Sequence, residues 1–298
     1  MIIDTHSHLN FKAYDKDRNE VIKRNKEAGV VCIDVGTKFE TSKKAVELAE
    51  KNENIFAAIG LHPIHIKTDL LKLKMDESEG GFEPLGEEFD KEKYIEIAKS
   101  SKKVVAIGEI GLDYYYKPKG TAKKELFKQK QKEVFIQQLE MAEELNLPVI
   151  IHCRMAHTDV IDILKSQITN PKLQINSKSK IQNLKPRGVI HCFTGTWQEA
   201  QKYLELGFYL GINGIIFKLD LDEVIKNCPL DKILVETDCP YLTPLPAVAL
   251  AKASPKGFVR NEPIFIKYTI QKIAEIKNMS YDSIEKVTTE NAKRLFRV

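Results

Sequence analysis

Two histidines near the beginning of the chain have a spacing that suits metal binding. His6 and His8 end the segment Ile-Asp-Thr-His-Ser-His, whose apolar start is typical of a β-strand. Side chains two residues apart on a strand point to the same face, so both imidazoles can reach one ion. By itself the pair indicates either a metal site or two polar residues at a strand end.

Further histidines and carboxylates follow the other apolar segments of the chain. They are His62 in Gly-Leu-His-Pro, Glu109 and Asp113 in Gly-Glu-Ile-Gly-Leu-Asp, His152 and Arg154 in His-Cys-Arg, His191 in His-Cys-Phe-Thr-Gly, and Glu236 and Asp238 in Glu-Thr-Asp-Cys-Pro. Five of the seven histidines lie at or just past a predicted strand end, and only His65 and His157 lie further into loops. Histidines scattered through a core would have no reason to favour one end of the strands.

Four histidines and two carboxylates at strand ends are enough ligands for two divalent ions. Neutral imidazoles suit ions such as Zn²⁺ and Mn²⁺, whereas carboxylates also suit harder ions and can bridge two of them. Two ions about 4 Å apart can polarise a phosphoryl oxygen and activate a water molecule for attack. The alternative is a network of hydrogen-bonded polar side chains. The pattern favours a metal-dependent hydrolase.

The segments that position these residues alternate between strands and helices. Predicted strands are Ile2–Thr5, Val30–Val35, Ile55–Gly60, Val104–Glu109, Val149–His152, Gly188–Cys192, Phe208–Ile212 and Ile233–Glu236. Predicted helices are Asp17–Ala28, Ser42–Glu50, Glu125–Leu145, Thr158–Leu164, Gln198–Leu206 and, near the end, residues 263–277 and 280–296. Most of the strands are nearly continuous apolar runs, as expected for parallel strands covered on both faces.

Eight such units in 298 residues predict an α/β fold, a regular or distorted (β/α)8 TIM barrel. An open doubly wound sheet is the alternative, but the first strand lacks a following G-x-G-x-x-G turn. Catalytic residues of TIM barrels converge at the carboxyl ends of the strands. We predict one domain over residues 1–298 with two surface insertions, residues 68–92 and 168–187, to which we assign no chemistry.

The composition of the chain says little about its substrate but more about its cellular location. Lys and Arg total 46 against 42 Asp and Glu, and this net charge of +4 permits a polyanionic substrate without predicting one. Strand-like sequence begins at Ile2, and no apolar run approaches the about 18 residues of a membrane span. We expect a cytoplasmic monomer (nuclear is an alternative in a eukaryote) with reduced thiols, because the five cysteines show no close pairing: Cys32, Cys153, Cys192, Cys228 and Cys239.

Several blocks of the sequence resemble the TatD family of metal-dependent deoxyribonucleases, which belong to the amidohydrolase-like barrel enzymes. The blocks are DTHSHLN (4–10), GLHP (60–63), AIGEIGLDYYY (106–116), PVIIHCR (148–154), GVIHCFTG (188–195), GFYLGING (207–214), ILVETDCPYLTP (233–244), RNEP (260–263) and TTENAKRLF (288–296). The resemblance covers the whole chain except the two insertions. It implies hydrolysis of DNA, with single strands as one candidate form, by an exonuclease.

The resemblance also implies a ligand set for two divalent ions. His6 and His8 match the first metal-binding pair of the family. Glu109 matches the carboxylate that bridges the two ions, and His152 and His191 match the ligands of the second ion. The implied ions are Mg²⁺ or Mn²⁺ during activity, and we expect Zn²⁺ or another transition metal as an alternative bound ion.

Two further residues receive catalytic roles from the resemblance. Asp238 matches the aspartate that contacts metal and activates the water, and His62 matches a histidine that contacts the scissile phosphate. Met155 departs from the family, whose members commonly carry an acidic residue or asparagine at that position. Arg154 is a candidate for binding a substrate phosphate, and a salt bridge at the barrel rim is the alternative.

Residues beyond the predicted ligands have functional and structural interpretations. Asp113 either orients a ligand histidine or stabilises a turn. Lysines after the fourth strand either contact a DNA backbone or form solvated surface, and they are Lys117, Lys119, Lys123 and Lys124. Tyr114, Tyr115 and Tyr116 either stack on bases or pack against the following helix. For residues 260–263 we prefer a structural role at a helix start.

Other functions remain open at this point. Relatives that resemble phosphotriesterases or lactonases often bridge their metals with a carboxylated lysine, and Glu109 at this position argues against them. Deacylation of D-aminoacyl-tRNA needs the same ligands and stays an alternative. A non-catalytic binding protein built on the barrel has no reason to keep every ligand.

Overall fold

A single parallel sheet contains every strand of the computed structural model, which describes residues 1–70, 77–80, 86–169, 187–244 and 260–298. The strands are β1 (Ile2–Ser7), β2 (Val30–Val35), β3 (Ile55–Ile59), β4 (Val104–Asp113), β5 (Val149–Arg154), β6 (Gly188–Ile190), β7 (Tyr209–Ile212) and β8 (Ile233–Val235). Each strand pairs in parallel with the next one along the chain.

The sheet curls until β8 meets β1. Ser7 and Cys239 form a parallel bridge, and the backbone N–H of Asp238 donates to the carbonyl oxygen of His6 at 2.8 Å. The N–H of His8 donates in turn to the carbonyl oxygen of Cys239 at 2.9 Å. The predicted (β/α)8 barrel is confirmed in a nearly closed form, and the open doubly wound sheet is wrong.

Helices connect the strands and cover the outside of the barrel. They are α1 (Arg18–Glu27), α2 (Phe39–Lys51), α3 (Lys91–Ser100), α4 (Thr121–Glu144), α5 (His157–Thr169), α6 (Trp197–Glu205), α7 (Asp222–Asn227), α8 (Ile266–Lys277) and α9 (Tyr281–Phe296). Helices α3 and α7 are not among those predicted from the sequence. Helix α7 has only 6 residues, too few for a clear helical period.

The interior of the barrel is packed with small and branched apolar side chains. Ile33, Ala106 and Ile150 belong to this inner cluster, which Leu295 and Phe296 of α9 continue at the end where the strands begin. The candidate ligands stand at the opposite end, above the packed layers. Such an arrangement separates the residues that stabilise a TIM barrel from those that can react.

Parts of the two predicted insertions lie outside the described residues, namely 71–76, 81–85 and 170–186. Helix α3 begins at Lys91, so the last 2 residues of the predicted insertion 68–92 belong to this helix. Residues 77–80 pack on the segment after β1, where the N–H of Ala13 donates to the carbonyl oxygen of Ser78 at 2.8 Å. No helix in the described ranges has both the length and the apolar character of a membrane span.

Candidate metal centre

The two histidines of β1 converge on one point. Their Nε2 atoms are 3.1 Å apart, and both side chains are buried. Nδ1 of His8 lies 2.8 Å from the carbonyl oxygen of Val35, to which it donates a hydrogen bond. Neutral His8 therefore presents the lone pair of Nε2 to the interior of the site, as a metal-binding histidine does.

Glu109 of β4 lies between two groups of imidazoles. Its Oε2 atom is 3.4 Å from Nε2 of His6 and 3.9 Å from Nε2 of His8. Its Oε1 atom is 2.7 Å from Nδ1 of His152 and 3.5 Å from Nε2 of His191. Each carboxylate oxygen thus faces a different group of nitrogens, as a ligand shared by two ions must do.

Asp238 approaches the β1 histidines from the turn after β8. Its backbone has a φ of 55°, in the left-handed region that Asp and Asn adopt more easily than most residues. Oδ1 of Asp238 lies 3.5 Å from Nε2 of His8 and 3.8 Å from Nε2 of His6. The turn therefore adds a carboxylate to the pair of nitrogens that β1 supplies.

Within the described residues, three overlapping groups could hold a metal ion. Their ligand atoms lie within 4.8 Å of one another, and the groups are His6–His8–Asp238, His6–Glu109–His191 and His62–Glu109–His152. All six predicted ligands occur in these groups, and His62 joins them. Buried imidazoles and carboxylates at such distances form a donor set that fits divalent transition ions.

A second layer of carboxylates contacts the ligand histidines from behind. Nδ1 of His191 is 2.9 Å from Oε1 of Glu236, which also accepts hydrogen bonds from the N–H of Cys192 and the amide of Asn213. The sequence pattern did not predict this role for Glu236. Its position directly after β8 and two residues before Asp238 was the available signal.

Asp113 has the same relation to His152. Its Oδ2 atom lies 3.2 Å from Nε2 of His152, and its Oδ1 accepts a hydrogen bond from the N–H of Tyr115. Both interpretations offered for Asp113 thus describe real contacts.

Asp4 of β1 supports the turn after β8. This buried residue accepts hydrogen bonds from the N–H and the hydroxyl of Thr237. Like the role of Glu236, this role of the buried Asp4 was not predicted from the sequence.

Burial and charge separate the protonation states of these groups. Burial alone would raise the pKa of Glu109, but the surrounding imidazoles hold it well below its usual range. The pKa of Asp238 is also lowered, because His8 and its neighbours outweigh burial. Burial lowers the pKa of His62 to about 4. Both carboxylates are therefore ionised near neutral pH, and His62 is uncharged.

A hydrogen bond from the neighbouring backbone determines the tautomer of His62. Its Nδ1 atom accepts a hydrogen bond from the N–H of Ile64 at 3.1 Å, and its Nε2 atom is 3.3 Å from Oε1 of Glu109. A neutral imidazole that accepts at Nδ1 carries its proton on Nε2. His62 therefore directs a hydrogen-bond donor into the site.

The predicted insertion 68–92 contributes a buried carboxylate near the site. Oε2 of Glu79 lies 2.9 Å from Nε2 of His65, and Oε1 of Glu79 accepts a hydrogen bond from the hydroxyl of Thr37. All three residues line the same cavity as the candidate ligands. His157 does not, because it begins α5 and contacts Cys153 and Tyr203 instead.

The remaining candidate residues lie either at the rim of the cavity or beneath the turn after β8. Arg154, the last residue of β5, lines the cavity, whereas Met155 is 65% exposed. Arg260 pairs with Asp17 at 2.7 Å, and the amide of Asn261 donates to the carbonyl oxygens of Thr237 and Tyr241. Residues 260–263 therefore support the turn after β8. Pro263 also begins a short 3-10 helix, as predicted, but its N-cap residue Glu262 makes no side-chain capping hydrogen bond.

A (β/α)8 barrel with clustered histidines and carboxylates at the carboxyl ends of its strands defines the class of metal-dependent hydrolases. The family model described as "TatD related DNase" matches residues 3–297. This chain therefore belongs to the TatD family and is a metal-dependent hydrolase.

Individual relatives are similar along almost the whole chain. An uncharacterized metal-dependent hydrolase of Bacillus subtilis, YabD, is 39% identical over 302 residues, which cover 100% of both chains. A Cronobacter sakazakii protein named 3'-5' ssDNA/RNA exonuclease TatD is 33% identical over 95% of this chain and 93% of its own length. The crystal structure of the TatD homologue YjjV from Escherichia coli superposes with a TM-score of 0.75 at 26% identity, covering 100% and 98% of the two chains.

Proposed function

We propose that this chain is a deoxyribonuclease that hydrolyses phosphodiester bonds of single-stranded DNA from an end of the strand. The position of Glu109 between two groups of imidazoles carries this proposal, because hydrolysis of a phosphodiester commonly uses a pair of ions. The name of the Cronobacter relative supports the substrate. The proposed unit is one domain over residues 1–298, since β1 to β8 and α9 build a single barrel.

Six residues would hold the two ions. His6, His8 and Asp238 would hold one ion, His152 and His191 the other, and Glu109 both. The ligand atoms of Glu109 form one close group with those of His6 and His191 and another with those of His62 and His152. The ions, Mg²⁺ or Mn²⁺ in activity and Zn²⁺ as an alternative, would supply Lewis-acid polarisation of the phosphoryl oxygens and a nucleophilic water.

The chain's own residues perform the proton transfer and the charge stabilisation. As water attacks phosphorus, ionised Asp238 accepts its proton, and the bond from phosphorus to the oxygen of the leaving nucleotide breaks. Asp238 then returns the proton to that oxygen. The Nε2–H of His62 donates a hydrogen bond to a phosphoryl oxygen, on which charge increases during attack. Arg154 binds a phosphate next to the reacting one with its guanidinium group.

Hydrolysis assays with three labelled substrates test the proposal. Single-stranded DNA, duplex DNA and D-aminoacyl-tRNA are incubated with metal-stripped protein to which one defined divalent ion is restored. We expect shortening of single-stranded DNA from one end, no activity with chelator, and loss of activity in Glu109→Ala. Deacylation of the tRNA without cleavage of DNA would replace the proposal by the ester hydrolase alternative.

A further inference from the structure

The three tyrosines after β4 differ in exposure. Tyr114 is half-buried, and its hydroxyl donates a hydrogen bond to Oδ2 of Asp159 at 2.7 Å. Tyr115 and Tyr116 are 52% and 39% exposed, with their rings edge to face. Large exposed side chains next to a cavity commonly mark a binding surface. Tyr114 therefore has the packing role, and the other two rings are available to a ligand.

Arg154 lies against these rings. Its guanidinium carbon is 3.7 Å from the ring centre of Tyr115 and 5.7 Å from that of Tyr116. Arg154 at the end of β5 is the register partner of Asp113 at the end of β4. Because Tyr115 and Tyr116 follow Asp113 in the chain, this register brings their rings close to Arg154. No carboxylate of the described ranges lies within 4 Å of Arg154, so the rim salt bridge considered above is not observed there. Its charge is therefore available to a phosphate.

Tyr116 and Arg154 line the same cavity as His152, Glu109 and Asp238. Tyr115, Tyr116 and Arg154, which we call the aromatic shelf, are thus continuous with the candidate metal centre. A nucleic acid strand with one phosphate at that centre can therefore place a neighbouring nucleotide on the shelf.

Positive charge continues beyond the shelf. Lys117, Lys119 and Lys123 are exposed, and none of them forms an ion pair with another residue that the structure describes. Lysines at this position can follow the phosphates of a nucleic acid, whose affinity comes largely from such contacts. The shelf and the lysines together offer both flat rings and cations.

We infer that the aromatic shelf binds an unpaired base next to the scissile phosphate and so selects single-stranded over duplex DNA. The inference rests on the proposed deoxyribonuclease function. Bases of a single strand expose their faces and stack on aromatic side chains, whereas the bases of a duplex are already stacked on each other. Arg154 and the lysines bind the backbone of either form.

Equilibrium binding in the presence of chelator tests the shelf without cleavage. The probes are a fluorescein-labelled oligodeoxythymidylate, an abasic oligomer of the same length, and a duplex. We expect Tyr115→Ala to weaken binding of the thymidylate by about 5- to 100-fold. Binding of the abasic oligomer and the duplex should stay as in the wild type. Arg154→Ala should weaken all three.

Two control variants keep the result specific. Tyr115→Phe retains the ring and should bind as the wild type does. Tyr268→Ala removes a tyrosine of α8 that also has a cation over its ring, but its ring partners, Phe265 and Lys267, do not line the cavity as Arg154 does. It should leave all three affinities unchanged, and melting temperatures establish that each variant is folded.

The inference and the proposed function fail in different ways. Cleavage of DNA by the wild type with unchanged thymidylate binding in Tyr115→Ala would overturn the shelf and leave the nuclease. Selective binding of the thymidylate without any metal-dependent cleavage would support the shelf and overturn the nuclease.

Discussion

The Nδ1 atom of His191 lies 2.9 Å from Oε1 of Glu236, a fully buried carboxylate at the end of β8. This contact holds the imidazole with its other nitrogen, Nε2, directed at Glu109. An anionic acceptor on one nitrogen of an imidazole also raises the basicity of the other. Glu236 is therefore expected to position His191 for metal binding without touching the ion.

Replacement of this carboxylate tests its positioning role. Glu236→Gln keeps the shape but loses the charge, and we expect metal affinity to fall by about 10- to 100-fold. Isothermal titration with Mn²⁺ measures the change, and Glu223→Gln on the exposed side of α7 is the control. Unchanged affinity in a folded Glu236→Gln protein would show that the contact is merely structural.

Loss of Glu109 should affect both proposed ions. Because removal of an outer-shell partner already costs about 10- to 100-fold in metal affinity or activity, Glu109→Ala is expected to lose more than about a hundredfold in rate. The barrel should persist, since Glu109 lies above the packed interior. Elemental analysis and circular dichroism provide the readouts, with the exposed Glu92→Ala of α3 as control. Two ions retained in Glu109→Ala would contradict the shared position.

His62 should act in the reaction without being needed for metal binding. In neutral His62 the Nε2 atom carries the proton, so this nitrogen has no lone pair free to coordinate a metal ion. We therefore expect His62→Ala to bind metal and DNA nearly as the wild type does and to cleave about 10²- to 10³-fold more slowly. Single-turnover cleavage, metal content and melting temperature are measured on one preparation. Near-normal cleavage would remove His62 from the mechanism.

Metal binding should release protons. Burial lowers the pKa of His152, but Asp113 and Glu109 outweigh it and raise that pKa to about 9. Glu236 and Glu109 likewise outweigh burial at His191 and raise its pKa to about 10. A metal ion must displace these protons, so its affinity should increase with pH. Calorimetry in buffers of different ionisation enthalpy measures the proton release, and a buffer-independent enthalpy would contradict it.

The same two histidines predict the pH dependence of stability without metal. Their raised pKa values stabilise the folded state fully below their ordinary value of 6.5, and this contribution is lost as the pH rises toward 9 and 10. The melting temperature of metal-stripped protein should therefore fall over that range, and the increase produced by added Mn²⁺ should grow.

The sequence alone determined the barrel and the set of candidate ligands. Parallel strands covered on both sides are written as continuous apolar runs, and β1 to β8 all have this character to some degree. Ligands at the ends of such strands must share one end of the barrel, whatever the details of packing. Strand ends were less accurate, since β4 continues to Asp113 and β5 to Arg154 beyond the apolar residues that predicted them.

Only the tertiary structure decided which neighbour each of these residues contacts. Spacing along one strand tells which side chains share a face, but contacts across the barrel depend on the register between strands and on the turns after them. The side chain of Glu236 contacts His191 for this reason. Glu79 contacts His65 from a segment whose sequence shows no periodic pattern. Tyr114 and Tyr115 are adjacent in sequence, yet the turn after β4 places Tyr114 half-buried against Asp159 and leaves Tyr115 exposed beside Arg154.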